Sequence, residues 1–123
     1  MTEELKTIAE ALVAHCRNHT EAEGLETLYA ADAVSVEAAA MPGAESRELV
    51  GLDAIKGKHA WWNNTMDVHS GTTSDPFLHG DDRFAVIFEA DVTNKETGQR
   101  SQMKEVAVYT VANGKIVREE FFY

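Results

Sequence analysis

The hydrophobic period of this chain changes once, near Met66, and that change decides what it can fold into. Ahead of it, apolar residues recur at helical spacing. Leu5, Ile8, Ala9, Leu12 and Cys16 share a face of residues 3–18, and Leu25, Leu28 and Tyr29 line a shorter helix placed after an N-cap at Thr20 and ended by Ala31-Asp32. Beyond it, Phe84, Val86, Phe88, Ala90 and Val92 alternate with Ala85, Ile87, Glu89 and Asp91, the mark of a strand with one apolar face. A hairpin loop over 93–100 turns the chain back into a strand at 103–111. Asn113-Gly114, a two-residue hairpin signal, leads into a closing strand at 115–123. Less regular threonine and serine spacing over 68–78 reads as a further strand, with a turn at 79–82.

Between the two regimes, Val34 and Val36 alternate with Ser35 and Glu37 in a strand at 33–38, followed by a loop from Met41-Pro42-Gly43 and a short edge strand at 47–50. A third helix over 52–64 then places Leu52, Ile55, Trp62 and Met66 on one face, with His59 among them. An imidazole in that setting is either a hydrogen-bonded core group or the polar point of a ligand pocket. Trp61 points about 100° away from Trp62, so Trp62 is the pocket candidate and Trp61 an edge or oligomer-contact residue. Helices followed by an antiparallel meander predict an α+β fold, a cone-shaped curved antiparallel sheet covered by three N-terminal helices, in a single domain over residues 1–123.

Charge and composition narrow the partners. The net charge of −10 disfavours nucleic acid or an anionic membrane surface. No apolar run approaches the roughly 20 residues of a membrane span, and the N-terminal residues lack the pattern of a signal peptide, so the expectation is a cytoplasmic protein. Cys16 is the single cysteine, which excludes an internal disulfide and a cysteine-rich zinc module and leaves it as a small buried hydrophobe. His15 and His19 have a metal-compatible i, i+4 spacing, but no acidic neighbour completes a ligand motif, and neither a metal nor a cofactor is expected. His69 and His79 carry no motif, and Asn63-Asn64-Thr65 matches a glycosylation pattern inside a helix. No glycine-rich phosphate loop or nucleophile elbow supports nucleotide binding or serine-type hydrolysis.

The order of elements, together with Leu28-Tyr29-Ala30-Ala31-Asp32-Ala33-Val34, the glycine and isoleucine of Gly51-Leu52-Asp53-Ala54-Ile55, and Asn113-Gly114-Lys115-Ile116-Val117, resembles the nuclear transport factor 2-like superfamily in its SnoaL-like branch. The resemblance covers nearly the whole chain. It implies a cone with a pocket inside, but the superfamily spans isomerases, cyclases, dehydratases, epoxide hydrolases and binding proteins, so it does not imply one activity. Carried over residue by residue, the ketosteroid isomerase base falls on Glu37 and a pocket tyrosine on His59. The two oxyanion donors fall on Val13 and Ala107, so steroid isomerisation is disfavoured.

Strand alternation bears on the same residues. If Val34 and Val36 face the helices, Glu37 faces out, whereas the resemblance turns it in. On the closing strand, Val117, Glu119, Phe121 and Tyr123 form the more apolar set; Met103, Glu105, Ala107, Tyr109 and Val111 form a similar set on the preceding strand, which the resemblance turns toward the cavity. A carboxylate in such surroundings is poised near neutrality unless a cation or donors hold it. The expected catalytic residues are Glu37 or Glu105 as base and His59 as acid or orienting partner. Trp62, Glu119, Tyr109, Met103 and Phe121 would line a pocket for a small apolar or neutral organic ligand. Two functions fit: a cofactor-independent isomerase, cyclase or dehydratase, or a non-catalytic ligand-binding or dimerisation module. In either case a homodimer through the outer sheet face is expected, while a protein-binding adaptor would need a further exposed apolar patch.

Overall fold

The change of period at Met66 is the junction of helix and sheet in the computed structural model, which describes residues 3–123. Helices α1 (Glu3–Arg17) and α2 (Glu21–Leu28) lead into strand β1 (Tyr29–Val36); β2 (Glu48–Val50), α3 (Leu52–Thr65), β3 (Met66–Thr73), β4 (Phe77–His79), β5 (Arg83–Asn94), β6 (Arg100–Ala112) and β7 (Lys115–Phe122) follow. The strands form one curved, unclosed sheet in the order β2-β1-β7-β6-β5-β3, with β4 also on β5. It is mixed rather than wholly antiparallel, because β1 runs parallel to β7. That pairing is what a strand reached through helices, rather than through a hairpin, can make.

Local chemistry accounts for most boundaries. α1 carries Glu3 and Glu4 in its first turn and His15 and Arg17 in its last, complementing the helix dipole. Thr20 does not cap α2 with its side chain; its hydroxyl instead pairs with His15 Nδ1 at 2.8 Å. α2 stops at Leu28, earlier than Ala31, because Tyr29 turns into the core and begins β1 in register with Ile116. Met66 likewise starts β3 instead of extending the face of α3, and its N–H closes that helix on the Trp62 carbonyl. The span 68–78 is two strands broken at 74–76, a segment containing Pro76, which lacks a backbone donor. Asn113 and Gly114 both take positive φ, 52° and 77°, as the tight β6–β7 hairpin requires.

The helices cover the inner face of the sheet. Leu5, Ile8, Ala9, Leu12 and Val13 of α1, Leu25 of α2 and Ile55 of α3 pack onto Phe84, Val86, Ala107, Tyr109 and Ile116. Val13 joins this face, and Cys16 is only half-buried at its margin. In β7 the inner set differs from simple alternation. Thr110 faces Arg118 while Val111 faces Ile116, so Val117 is an extra residue in a β-bulge. The bulge lets Ile116 and Glu119 both be buried, and it takes Val117 off the inner face, while Tyr123 is exposed. Val50, Phe77 and Phe122 stand exposed on the sheet. Among the described residues no helix is long and apolar enough to cross a membrane.

Phe84 is fully buried and stacks on Tyr109 with ring centroids 4.8 Å apart. Phe84→Ala is expected to lower unfolding free energy by about 3–5 kcal/mol in urea titration with the denaturant slope unchanged; a loss under about 1 kcal/mol would contradict this packing.

Candidate functional site

Cross-strand pairing sets the inner face out in rungs. Ser35, Glu119, Tyr109 and Phe84 sit side by side on β1, β7, β6 and β5. The following rungs hold Phe121, Ala107 and Val86, then Glu105 beside Phe88, then Met103 beside Ala90. Ala33 and Ser35 are fully buried whereas Val34 and Val36 are half-exposed, so β1 turns its valines outward and Glu37, just past its end, inward. Of the two settings that the sequence leaves open for β1, the one with the valines outward and Glu37 inward is found: the small side chains of Ala33 and Ser35 leave room for the helices and for charge.

Glu119 is the centre of the polar cluster and is 1% exposed. Tyr29 donates its hydroxyl to Oε1, Ser35 donates to Oε2 at 2.7 Å, and Lys58 Nζ donates to Oε2 at 3.2 Å. Burial and the Glu119 charge raise the Tyr29 phenol well above its usual value, so it stays a donor. Lys58, from α3, also donates to Ser35 Oγ at 2.5 Å and forms an ion pair with Glu37 Oε1 at 3.2 Å, so the ammonium faces three oxygens and donates hydrogen bonds to two of them. Its Nζ lies 4.4 Å from the Phe121 ring centroid, a cation–π contact.

Glu105 has no share of this cation. Burial first, then the negative charge of Glu37, push its carboxyl up to about 7; Lys58 opposes the shift and Glu119 adds to it. His59 is half-buried one residue beyond Lys58, and burial lowers its pKa, leaving a neutral ring at neutral pH. Among the described residues no hydrogen bond or ion pair joins His59 to Glu37, Glu105 or Glu119; the side chain of α3 that meets Glu37 and Glu119 is Lys58. Trp62 and Met103 are half-buried, and Tyr109 is buried against Phe84. The Cys16 thiol is pushed to about 12 by burial and by Glu21 and Glu119, which makes it a poor nucleophile.

Open space lies beside the cluster. Glu37 and Phe121 line a cleft of about 260 Å³ together with Arg47 and Tyr123. A larger hollow, about 440 Å³, lies along α2 at His15, Glu23 and Glu26 and shares no residue with the carboxylates. His19 lies beyond the end of α1 with φ 58°, so it and His15 do not share a helix face. Among the described residues no group of three His, Cys, Asp or Glu side chains gathers as a metal site.

A family model for the SnoaL-like domain matches residues 4–123. The chain belongs to the SnoaL-like family. Its fold matches a candidate SnoaL-like polyketide cyclase from Mesorhizobium loti, also described as a carbohydrate phosphatase, at TM-score 0.89 and 37% identity over 100% of both chains. A candidate isomerase from Bacillus subtilis matches at TM-score 0.74 and 21% identity over 98% of this chain and 88% of that one. TerC, co-crystallised with polyporic acid, matches at TM-score 0.70 and 21% identity over 95% and 88%. No curated protein matches the chain. Within this SnoaL-like domain, Lys58, Ser35 and Tyr29 are the cluster residues that sequence reasoning passed over. Lys58 had a readable signal, since it lies three residues from the buried Ile55, about 60° from it around the helix against about 40° for His59 on the other side.

Two outcomes follow from the charges. Lys58→Met leaves Glu119 buried without its counter-charge and is expected to cost about 3–5 kcal/mol in denaturant unfolding, with most of it regained in Lys58→Met/Glu119→Gln. Glu105 titrates near 7 when folded and near 4.5 when unfolded. The folded state thus holds the extra proton, and the stability it contributes is full below about pH 4.5 and lost as pH rises through about 7. Glu105→Gln is expected to flatten the stability profile over that window by about 2–3 kcal/mol; an unchanged slope would show that Glu105 does not titrate there.

Proposed function

We propose that this SnoaL-like protein is a cofactor-independent acid–base enzyme acting on a small organic molecule, by proton transfer next to a carbonyl in an isomerisation or cyclisation. The observation that carries the reading is the charge count on the inner face: one ammonium is held by Glu37, Glu119 and Ser35, and among the described residues Glu105 has no hydrogen-bond or ion-pair partner. A carboxyl so placed exchanges its proton near neutral pH, the property a general acid or base needs. Glu105 is the proton carrier in this reading, Glu37 the charged residue at the cleft, and Phe121, Met103 and Trp62 the apolar surroundings of the ligand. His59, neutral and not bonded to the carboxylates, orients the ligand rather than relaying their protons. The SnoaL-like cyclase and isomerase candidates among the structural neighbours support the reaction class.

The same engagement of Lys58 favours a second reading, in which the cluster is a structural charge lock inside a binding module. In both readings the exposed Val50 and Phe122 on the sheet suit pairing of two copies through its outer face.

Solvent deuterium incorporation into 2-tetralone, followed by NMR, tests catalysis. Wild type is expected to accelerate exchange with a rate rising through about pH 7, and Glu105→Gln to lose about a hundredfold or more. Exchange equal in wild type and Glu105→Gln, or none above buffer, would rule for the binding module.

A further inference from the structure

We propose that Lys58 is the electrophile of this site: its ammonium accepts the substrate carbonyl oxygen in place of Glu37 and stabilises the negative charge that develops on it. The inference rests on the proton-transfer reading and deepens it. Removing a proton beside a carbonyl places charge on oxygen, and a site without a donor aimed there loses most of its power. Among the described residues Lys58 is the cation that meets the buried Glu119.

The three oxygens on Lys58 differ in depth. Ser35 and Glu119 are 0% and 1% exposed and are tied to each other, so they anchor the ammonium. Glu37 is 17% exposed at its side chain and lines the cleft, so its ion pair with Lys58 at 3.2 Å is the contact a ligand can replace. Phe121, which also lines the cleft, lies against the ammonium and presents an apolar ring to whatever enters. A carbonyl oxygen arriving there displaces the Glu37 carboxylate from beside the ammonium and accepts the N–H not donated to Ser35 or Glu119.

The step balances without any further reagent. Glu105, as carboxylate, takes a proton from the carbon beside the carbonyl; the C–H pair becomes the new carbon–carbon π bond, and the carbonyl π pair moves to oxygen. Lys58 keeps all its protons and lends a hydrogen bond. Glu105 loses its charge as the oxygen gains one, so the net charge of the site does not change, and returning the proton to another carbon completes an isomerisation.

The test compares wild type, Lys58→Arg and Lys58→Met/Glu119→Gln, the last removing the cation with its buried counter-charge so that the fold is kept, as circular dichroism and thermal unfolding will verify. Two readouts are taken: deuterium exchange of 2-tetralone, and binding of 4-nitrophenol, whose phenolate mimics the enolate oxygen and reports its ionisation by absorbance. Wild type is expected to bind the phenolate about tenfold or more tightly than the double variant, with Lys58→Arg between, and to exchange about a hundredfold faster than the double variant. Exchange lost in Glu105→Gln but kept in the double variant overturns the role of Lys58 and leaves the enzyme reading standing. Absence of exchange in wild type removes the enzyme reading, and phenolate binding then decides on Lys58 alone: equal or no binding in wild type and double variant overturns it.

Discussion

A carboxylate with no access to water sits at the middle of this protein, and much of the architecture serves to satisfy it. Burying an isolated charge costs many kcal/mol, so Glu119 is tolerable only because its donors arrive from separate parts of the chain. Tyr29 comes from the start of β1, Ser35 from near the end of the same strand, and Lys58 from the middle of α3. Those requirements explain why α2 gives way to strand at Tyr29, why β1 lies parallel beside β7, and why α3 crosses the inner face with a lysine turned toward the sheet.

The lock also sets the chemistry of its neighbours. With the ammonium held by Glu119, Ser35 and Glu37, the rungs beyond Phe121 hold a Glu105 that among the described residues makes no ion pair. Two kinds of carboxylate thus coexist on one face, one bound by donors and one left to its burial. That division is how environments separate the roles of identical groups.

The fold was legible because its signals are local and strong. The alternation of Phe84 to Val92, the Asn113-Gly114 turn and the apolar stripe of α1 each survive in the structure. The site was legible only in part, because its geometry depends on pairings that no window of sequence contains. Alternation alone leaves both settings of β1 open; Ala33 and Ser35 are the buried ones, since small residues there admit the helices and the lysine. Lys58 carries no motif of its own and stands beside a more conspicuous histidine. Its partners lie 21, 23 and 61 residues away, and only the sheet order brings Glu37, Ser35 and Glu119 to it.

The bulge at Val117 acts as a phase shifter. On its hairpin side β7 buries the residue paired with Val111, and on its far side it buries the residue paired with Tyr109, so the two halves of one strand are read in opposite parity. The inward setting of Glu119 is therefore encoded by a count of residues from the hairpin rather than by any side chain at 117. Among relatives of this chain, a one-residue length difference between the Asn113-Gly114 turn and Glu119 would say more about whether the charge lock exists than any substitution at Val117 itself.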